Sequence, residues 1–286
     1  MIEIYISPNV FSSDFALSLA LSWHGFFSFV AVATAVILVG RWAPLKKIDP
    51  DDIYSIAIWA IIGGVIGARL VHVIDNWDST YNQNPIQVLY LWNGGIGLWG
   101  GILGGFLGGA AYALIFKHPV GIIADLTAPA MLYAQAIGRI GDIINGEHCA
   151  NITDLSIGFM WTHPQTAARF CSSGYETPVQ PVIAYEMIWT IGSLIIIWAL
   201  RDRIRPDGML FALYLALYAL GRFGISFLRE DPIWALGMQE AHFIALLVLS
   251  ITIPLMIVKA RFDTTLKPSI VMDTRPRSER RRKSRR

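Results

Sequence analysis

Three arginines lie within long apolar stretches of the chain: Arg69, Arg139 and Arg222. A charged side chain in the hydrocarbon region of a membrane costs roughly 3 kcal/mol or more, so such residues usually face a partner charge, a water-filled cavity or a functional site. The planar guanidinium group binds phosphate through paired hydrogen bonds. Together the three residues predict a cationic pocket for an anion, and within a membrane the obvious anion is the phosphate of a phospholipid.

Ion pairing inside the protein is the alternative explanation for each buried arginine. Asp142 follows Arg139 by three residues, a spacing that brings two side chains together on a helix. His72 and Asp75 follow Arg69 in the same segment. Snorkelling toward the membrane surface would also lower the cost of a single arginine. Three arginines on alternate spans are harder to explain in this way, and they favour a common site.

The densest polar run at a membrane edge extends over residues 138–147. It places Arg139, Asp142, Asn145 and Glu147 close together along one segment. Asparagine followed by glycine is a turn signal, so we expect the helix to end at Asn145 and Glu147 to take a new direction. The run predicts a polar site at the end of this helix.

A glycine-rich stretch includes Gly94 and Gly95. Further pairs recur every four residues, at Gly100-Gly101, Gly104-Gly105 and Gly108-Gly109. A stripe of small residues with this spacing lets two helices approach closely. We expect the later pairs to serve helix packing, whereas unwound backbone at Gly94 and Gly95 is also compatible with the wall of a cavity.

The elements that must position these residues are membrane spans. Of the 286 residues, 54% are hydrophobic and 15% are charged, against about one quarter charged in soluble domains. Seven apolar stretches are each long enough to cross a hydrocarbon core of about 30 Å. They are Phe15–Gly40, Ile53–Ile74, Val88–Phe116, Val120–Ile144, Pro181–Leu200, Met209–Phe227 and Ala241–Val258. Residues 1–14 lack the basic residues of a secretory signal, so we expect the first apolar stretch to be retained as a span. The predicted fold is an all-α polytopic membrane protein with seven transmembrane helices.

The basic residues outside these spans are distributed very unevenly, and this predicts the orientation. One side has Arg41, Lys46, Lys47, Lys117, Arg201, Arg203, Arg205, Lys259, Arg261, Lys267 and the eight Lys and Arg of residues 275–286. The other side has only Arg169 and Arg229. Because positive charge marks the cytoplasmic side, we expect the N-terminus outside, the C-terminus in the cytoplasm, and residues 145–180 as a long outer loop. All three buried arginines then lie in the outer half of the membrane.

The chain divides into a seven-span membrane domain, residues 1–262, and a basic tail, residues 263–286. We expect the tail to be a disordered arm on the anionic inner leaflet, and nucleic-acid binding is a much weaker interpretation. Cys149 and Cys171 both fall in the outer loop, where a disulfide is permitted but unpaired thiols are equally compatible with the sequence. His148 precedes Cys149 without the spacing of a metal site, so no metal is predicted.

Residues 138–147 resemble the G-R-x-G-N-x-x-N-G-E run of the prolipoprotein diacylglyceryl transferase family. They match every fixed position except one, because Asp142 stands where the family usually has asparagine. Other stretches resemble the family's motifs in order: Trp23-His24-Gly25, Gly94–Gly101, Pro181–Glu186, Gly221-Arg222-Phe223 and Phe227–Pro232. The resemblance covers roughly residues 20–260 and leaves the basic tail outside.

The family transfers the diacylglyceryl group of phosphatidylglycerol to the thiol of a lipobox cysteine in a preprolipoprotein, and glycerol phosphate leaves. The resemblance implies a bacterial cell membrane protein in which Arg139 binds the phosphate and Arg222 stabilises charge as it departs. Together with the analysis of the spans, it gives these substrate-binding candidates: Arg69, Gly94, Gly95, Arg139, Asp142, Asn145, Glu147, Tyr185 and Glu186. The implied partners are phosphatidylglycerol, the lipobox peptide and membrane lipids, with no nucleic acid and no cofactor.

Three positions depart from the family's pattern, and one of them concerns the general base. Trp99 replaces a histidine often found in the family, Ser226 replaces a glutamate, and Gln180 replaces a histidine. We expect the missing histidine to be dispensable, because a phosphate ester leaves readily once its charge is paired and a thiol with a pKa of about 8.5 needs only modest help. His24 in the first span is the nearest alternative base and the third catalytic candidate.

A transporter or flippase for an anionic lipid or solute is the alternative function, since it would use the same cationic pocket without chemistry. Many transporters contain inverted repeats with broken helices in matching positions, and no such repeat is visible in the sequence. A non-catalytic scaffold would not need three buried arginines. The sequence therefore favours the transferase.

Overall fold

Seven α-helices make up most of the computed structural model, which describes residues 1–12, 20–91, 94–95, 97–173 and 175–263. They are α1 (Trp23–Trp42), α2 (Pro50–Asp75), α3 (Leu98–Ile115), α4 (Val120–Asn145), α5 (Val182–Leu200), α6 (Met209–Ser226) and α7 (Glu240–Lys259). Six of them, α1, α2 and α4 to α7, are long and apolar enough to cross a membrane. The chain is therefore a mostly helical, polytopic membrane protein.

Residues 15–19 of the predicted span Phe15–Gly40 lie outside the described part of the chain, and residues 20–22 of it are not helical. Residues 9–12 and 20–22 pair as short antiparallel strands, and α1 begins only at Trp23. The hydroxyl of Ser22 accepts a hydrogen bond from the Gly25 backbone N–H at 3.0 Å and so caps the helix. Apolar composition alone did not distinguish these residues from a helical turn.

The third predicted span, Val88–Phe116, divides into a loop and a helix. Residues 85–89 form a 3-10 turn that begins at a proline. Gly94 and Gly95 have φ angles of 77° and 80°, a left-handed conformation that glycine adopts readily and that interrupts a right-handed helix. The helix α3 therefore begins at Leu98, ten residues later than predicted.

Short strands lie outside the helices, and two of the strand pairs join distant parts of the chain. They are β1 (Ile2–Ile4), β2 (Asn9–Ser12), β3 (Ala20–Ser22), β4 (Phe159–Trp161), β5 (Ile204–Arg205), β6 (Ile233–Ala235), β7 (Met238–Gln239) and β8 (Arg261–Phe262). The parallel pair β1–β4 ties the N-terminus to the cap segment, defined here as residues 146–173 and 175–181. Trp161 of this segment donates from Nε1 to the Ile143 carbonyl oxygen at 2.7 Å and packs near the start of α5. The cap segment therefore lies on the ends of α4 and α5.

The glycine stripe of α3 packs directly against α2, as its spacing predicted. Gly63 and Gly67 of α2 face Gly100 and Gly104 of α3. A Cβ atom added at Gly67 would collide with the Gly100 carbonyl oxygen, and one added at Gly104 would collide with the Gly63 carbonyl oxygen. The two backbones touch without intervening side chains, which is the close approach that small residues permit.

We expect Gly67→Ala to destabilise the protein by about 1–3 kcal/mol, because the added methyl group overpacks a backbone contact. Gly192→Ala in α5 is the matched control, since a Cβ there meets no atom within 4 Å and alanine favours the helix. Unfolding in detergent micelles measures both variants. Equal stability of the two would contradict this packing.

Candidate active site

Ionised side chains from three helices and one loop meet beside the cap segment. The set, called the charge cluster below, comprises Arg139, Asp142, Glu186, Arg222, Arg229 and Asp231. The residues come from the end of α4, the first turns of α5, the last turns of α6 and the loop that follows α6. The cluster forms because the C-terminal ends of α4 and α6 and the N-terminal end of α5 lie on the same side of the helix bundle, and each carries polar residues there.

Glu186 is the centre of the cluster. Its Oε1 accepts a hydrogen bond from Arg222 Nη1 at 2.9 Å, and its Oε2 lies 2.7 Å from Arg139 Nη2. A third guanidinium nitrogen, Arg229 Nη1, lies 3.5 Å from Oε1. The carboxylate is buried, with 7% of its side chain exposed, so the attraction is poorly screened by solvent. One carboxylate thus joins three arginines from α4, α6 and the following loop.

Asp142 connects the cluster to α1. Its Oδ2 accepts a hydrogen bond from Arg139 Nη1 at 2.8 Å, the i,i+3 pair that the sequence suggested. Its Oδ1 lies 2.7 Å from Nδ1 of His24, in the first turn of α1. Arg139, Asp142 and His24, three of the predicted site residues, are therefore in direct contact.

Arg229 and Asp231 belong to the cluster and His148 lies against it, although none of the three was a predicted site residue. Arg229 Nε donates to Asp231 Oδ2 at 2.8 Å. His148 lies between two arginines, with Nδ1 2.9 Å from Arg229 Nη2 and Nε2 2.9 Å from Arg139 Nη1. Arg229 had been counted as a loop charge. The family-like stretch Phe227–Pro232 was the signal that placed it near the site.

The cluster balances its own charge, since three arginines face three carboxylates. Burial disfavours the charged form of Asp231, but the hydrogen bonds from Arg229 and the charge of Arg222 outweigh it, so its pKa lies below the ordinary value. The side chains of Arg139 and Arg222 are 19% and 17% exposed, whereas that of Arg229 is 4% exposed. Arg139 and Arg222 can therefore receive an anion from outside, and Arg229 serves to hold the carboxylates.

Arg69 binds a different part of the molecule. Its five N–H groups donate to five backbone carbonyl oxygens, those of Gln87, Val88, Tyr90, Gly94 and Gly95. The prediction that the three buried arginines share one pocket is therefore wrong for Arg69, and Arg229 takes its place. The spans fix the depth of an arginine but not the direction of its side chain, which is why the sequence misplaced it.

Gly94 and Gly95 accompany Arg69 and not the charge cluster. Their carbonyl oxygens lie 2.7 and 2.9 Å from Arg69 Nη1. With Arg69, His72 and Tyr81 they line a cavity of about 300 Å³. The expectation that these glycines border a cavity is confirmed, and the cavity is distinct from the cluster around Glu186.

The other predicted site residues surround the end of α4 and the start of α5. Asn145 ends α4, and Gly146 follows with a φ of 73°, as the turn signal predicted. Asn145 Nδ2 donates to Glu147 Oε1 at 3.3 Å. The hydroxyl of Tyr185 donates to Gln180 Oε1 at 3.3 Å. The structure therefore places these side chains in local pairs beside the cluster.

A disulfide between Cys149 and Cys171 fastens the cap segment, a pairing that the sequence left open. Next to it, the Glu230 backbone N–H donates to the Cys149 carbonyl oxygen at 3.1 Å, and the Asn151 N–H donates to the Leu228 oxygen at 3.0 Å. The disulfide and these two hydrogen bonds therefore hold the backbone that follows His148 against the backbone on both sides of Arg229.

The arrangement suits an anion better than a metal. Three arginines repel a cation, and the described residues contain no group of three His, Cys, Asp or Glu placed to hold one. Guanidinium groups that already face one direction can exchange part of their carboxylate contacts for a phosphate. The cluster can therefore bind a phosphate and stabilise charge that develops on it.

The comparison with known proteins identifies one family. The model of the family described as prolipoprotein diacylglyceryl transferase matches residues 13–258. A phosphatidylglycerol–prolipoprotein diacylglyceryl transferase of Dehalococcoides mccartyi is 32% identical over 266 residues, 91% of this chain and 96% of the relative. Proteins of the same name from Thermosynechococcus vestitus and Pediococcus pentosaceus are 32% and 30% identical, over 82% and 79% of this chain and 86% and 81% of the relatives.

We expect replacement of both cysteines by serine to destabilise the cap segment by about 3 kcal/mol, because the disulfide joins residues 22 positions apart and so restricts the unfolded chain. Hydrogen exchange at residues 148–151 and 228–231 should increase, while exchange in α2 and α3 should not. Reduction of the unaltered protein is the control and should give the same pattern. Unchanged protection in the double variant would contradict the role given to the bond.

Proposed function

The chain belongs to the prolipoprotein diacylglyceryl transferase family, and from this membership we propose that it transfers the diacylglyceryl group of phosphatidylglycerol to a prolipoprotein. It is a transferase of lipoprotein biosynthesis. The observation that carries the assignment of the site is the pair of partly exposed guanidinium groups, Arg139 and Arg222, held side by side on buried Glu186.

The acceptor in this proposal is the thiol of the lipobox cysteine. The thiol loses its proton, the sulfur attacks the glycerol carbon that carries the phosphate, and a C–S bond forms as the C–O bond breaks. The electron pair of that bond leaves on the phosphate oxygen, and glycerol phosphate departs. The products are a thioether-linked diacylglyceryl group and glycerol phosphate, so no cofactor is required.

Arg139 and Arg222 act on the phosphate. In the structure Arg222 donates to Glu186 Oε1 and Arg139 Nη2 lies 2.7 Å from Oε2, and these two contacts keep both groups pointing into the same space before the lipid arrives. Donors that are already oriented stabilise developing charge without reorganisation, and this effect is worth about 10²–10³ in rate for one donor. We assign Arg139 to binding the phosphate and Arg222 to stabilising the charge of the leaving group.

The remaining candidates shape the site. Asn145 and Glu147, joined by their hydrogen bond, border the head group at the end of α4. Tyr185 and Glu186 support it from α5. Asp142 fixes the direction of Arg139.

Arg69 contributes to substrate binding indirectly in this proposal. All five of its N–H groups are bound to carbonyl oxygens, so it shapes the cavity of about 300 Å³ by holding Gly94 and Gly95 rather than by donating to the lipid.

We propose seven spans, with α3 as the seventh, an outer N-terminus and a cytoplasmic C-terminus, in the bacterial cytoplasmic membrane. The disulfide between Cys149 and Cys171 supports this orientation, because such bonds persist on the oxidising side of the membrane. Residues 145–180 then lie outside with the charge cluster. Residues 1–262 form the catalytic domain, and residues 263–286 form a cytoplasmic arm whose residues after 263 lie outside the described part of the chain.

The transferase is favoured over the transporter by the shared name of the relatives and by the pairing of the arginines with carboxylates near a histidine. A transporter would need the same anion site but no group able to accept a proton from a thiol. Incubation with phosphatidylglycerol vesicles and a lipobox peptide distinguishes them, since only the transferase adds a diacylglyceryl group to the peptide.

We expect Arg139→Gln to lower turnover in this assay by about 10²–10³-fold, because one guanidinium that faces the phosphate is lost. Arg169→Gln is the matched control, since this arginine is exposed in the cap segment and donates to the Pro164 carbonyl oxygen. Peptide mass reports the product, and size-exclusion chromatography checks folding. Near-normal turnover of a folded Arg139→Gln protein would remove Arg139 from the mechanism.

The orientation predicts which side of the membrane each loop faces. Asp154→Cys in the cap segment should react with an impermeant maleimide on intact cells, and Asp202→Cys between α5 and α6 should react only after lysis. Both positions are exposed, and the native cysteines are paired. The reverse pattern of labelling would overturn the orientation.

A further inference from the structure

His24 and Asp142 form a pair with the geometry of a carboxylate–imidazole dyad. Nδ1 of His24 lies 2.7 Å from Asp142 Oδ1. The aspartate side chain is 8% exposed, whereas that of the histidine is 48% exposed. Among the described residues none is hydrogen-bonded to Nε2 of His24, so this nitrogen faces outward from the pair. The buried carboxylate holds one side of the ring and leaves the other side accessible.

The pair depends on an unusually close contact between α1 and α4. Gly141 precedes Asp142, and a Cβ atom there would lie 2.9 Å from the Trp23 carbonyl oxygen and 3.0 Å from His24 Cα. Only glycine allows this approach. Within α1 itself, the side chain of Ser22 caps the helix and fixes its start, two residues before His24. The backbone therefore positions the imidazole on the carboxylate.

We propose that the His24–Asp142 dyad is the general base for the acceptor thiol, an inference that rests on the proposed transfer reaction. A carboxylate that accepts from Nδ1–H fixes the tautomer whose lone pair is on Nε2 and stabilises the imidazolium that forms. His24 is then a catalytic residue, and Asp142 is a positioning residue. From the sequence, Asp142 was a possible ion-pair partner of Arg139 and a substrate-binding candidate at the position of the family's asparagine, but its contact with His24 was not predicted.

Other groups near the site do not fit this role. Both ring nitrogens of His148 lie 2.9 Å from arginine nitrogens, so neither is free to accept a thiol proton. Trp99, at the position where the family often has histidine, carries an indole that is a donor only. His148 Nε2 also lies 3.4 Å from Asp142 Oδ2, but among the described residues around the cluster His24 is the imidazole that combines a carboxylate partner with a ring nitrogen free of hydrogen bonds.

Asp142 also places the base beside the phosphate site. Its second oxygen accepts from Arg139, so a single carboxylate separates the imidazole from the guanidinium that binds the phosphate. The thiol proton passes to Nε2 of His24 as sulfur attacks the glycerol carbon. The C–O bond breaks, its electron pair leaves on the phosphate oxygen, and the imidazolium returns the proton to the departing phosphate. The dyad is thereby restored.

A selenocysteine acceptor peptide tests the role of the base, because a selenol is ionised at neutral pH and needs no base. We expect His24→Gln to lower turnover of the cysteine peptide by about 10²-fold or more and of the selenocysteine peptide by less than about tenfold. Asp142→Asn should show the same selectivity with a smaller loss. His163→Gln in the cap segment is the matched control and should leave both rates unchanged.

The pH dependence of the unaltered protein provides a test that needs no variant. Turnover of the cysteine peptide should fall as the imidazole becomes protonated, while turnover of the selenocysteine peptide should stay flat over the same range. Equal losses for both peptides in His24→Gln, or identical pH profiles, would overturn the dyad. If the unaltered protein modifies neither peptide, the proposed transfer reaction is wrong, and the role proposed for the dyad is then wrong as well.

Discussion

The buried carboxylate of Glu186 is the interaction on which the site depends. Three guanidinium groups within a few ångströms would repel one another strongly where solvent does not screen them, and Glu186 touches all three. Removing one partner of such a buried pair usually costs about 3–5 kcal/mol, because the remaining charge is left uncompensated. The ion pairs of Glu186 therefore contribute to the packing of α4, α5 and α6 at this end of the molecule.

Charge balance explains how the proposed anion site can exist before the anion arrives. Arg139 and Arg222 keep carboxylate partners, so the empty site does not hold uncompensated charge. The same contacts point both guanidinium groups in one direction, so a phosphate meets donors that are already oriented. The long contact of 3.7 Å between Arg222 Nη2 and Asp231 is the weakest in the cluster and the easiest to exchange for a ligand.

The sequence predicted the helices better than it predicted the contacts between them. The spans from α4 to α7 were placed to within two residues at each end, because long apolar stretches bounded by turns are a strong signal. The partners of Arg69 and Arg229 were not predicted, since hydropathy gives depth and not the direction of a side chain. The strand before α1 was not predicted, because its backbone hydrogen bonds override apolar composition. Unwound backbone at Gly94 and Gly95 was considered, but the predicted span still ran through these left-handed glycines.

The backbone contact between α2 and α3 has a mechanical consequence. Helices separated by side chains can slide and roll past each other, because the side chains between them can change rotamer. Two backbones in direct contact have no side chains between them that could adjust in this way. We therefore expect the 26 residues of α2 and the 18 residues of α3 to tilt together as one stiff unit when the surrounding bilayer thins or thickens. Through the carbonyl groups bound by Arg69, the loop before α3 moves with that unit, so the cavity beside it keeps its shape while the neighbouring helices adjust.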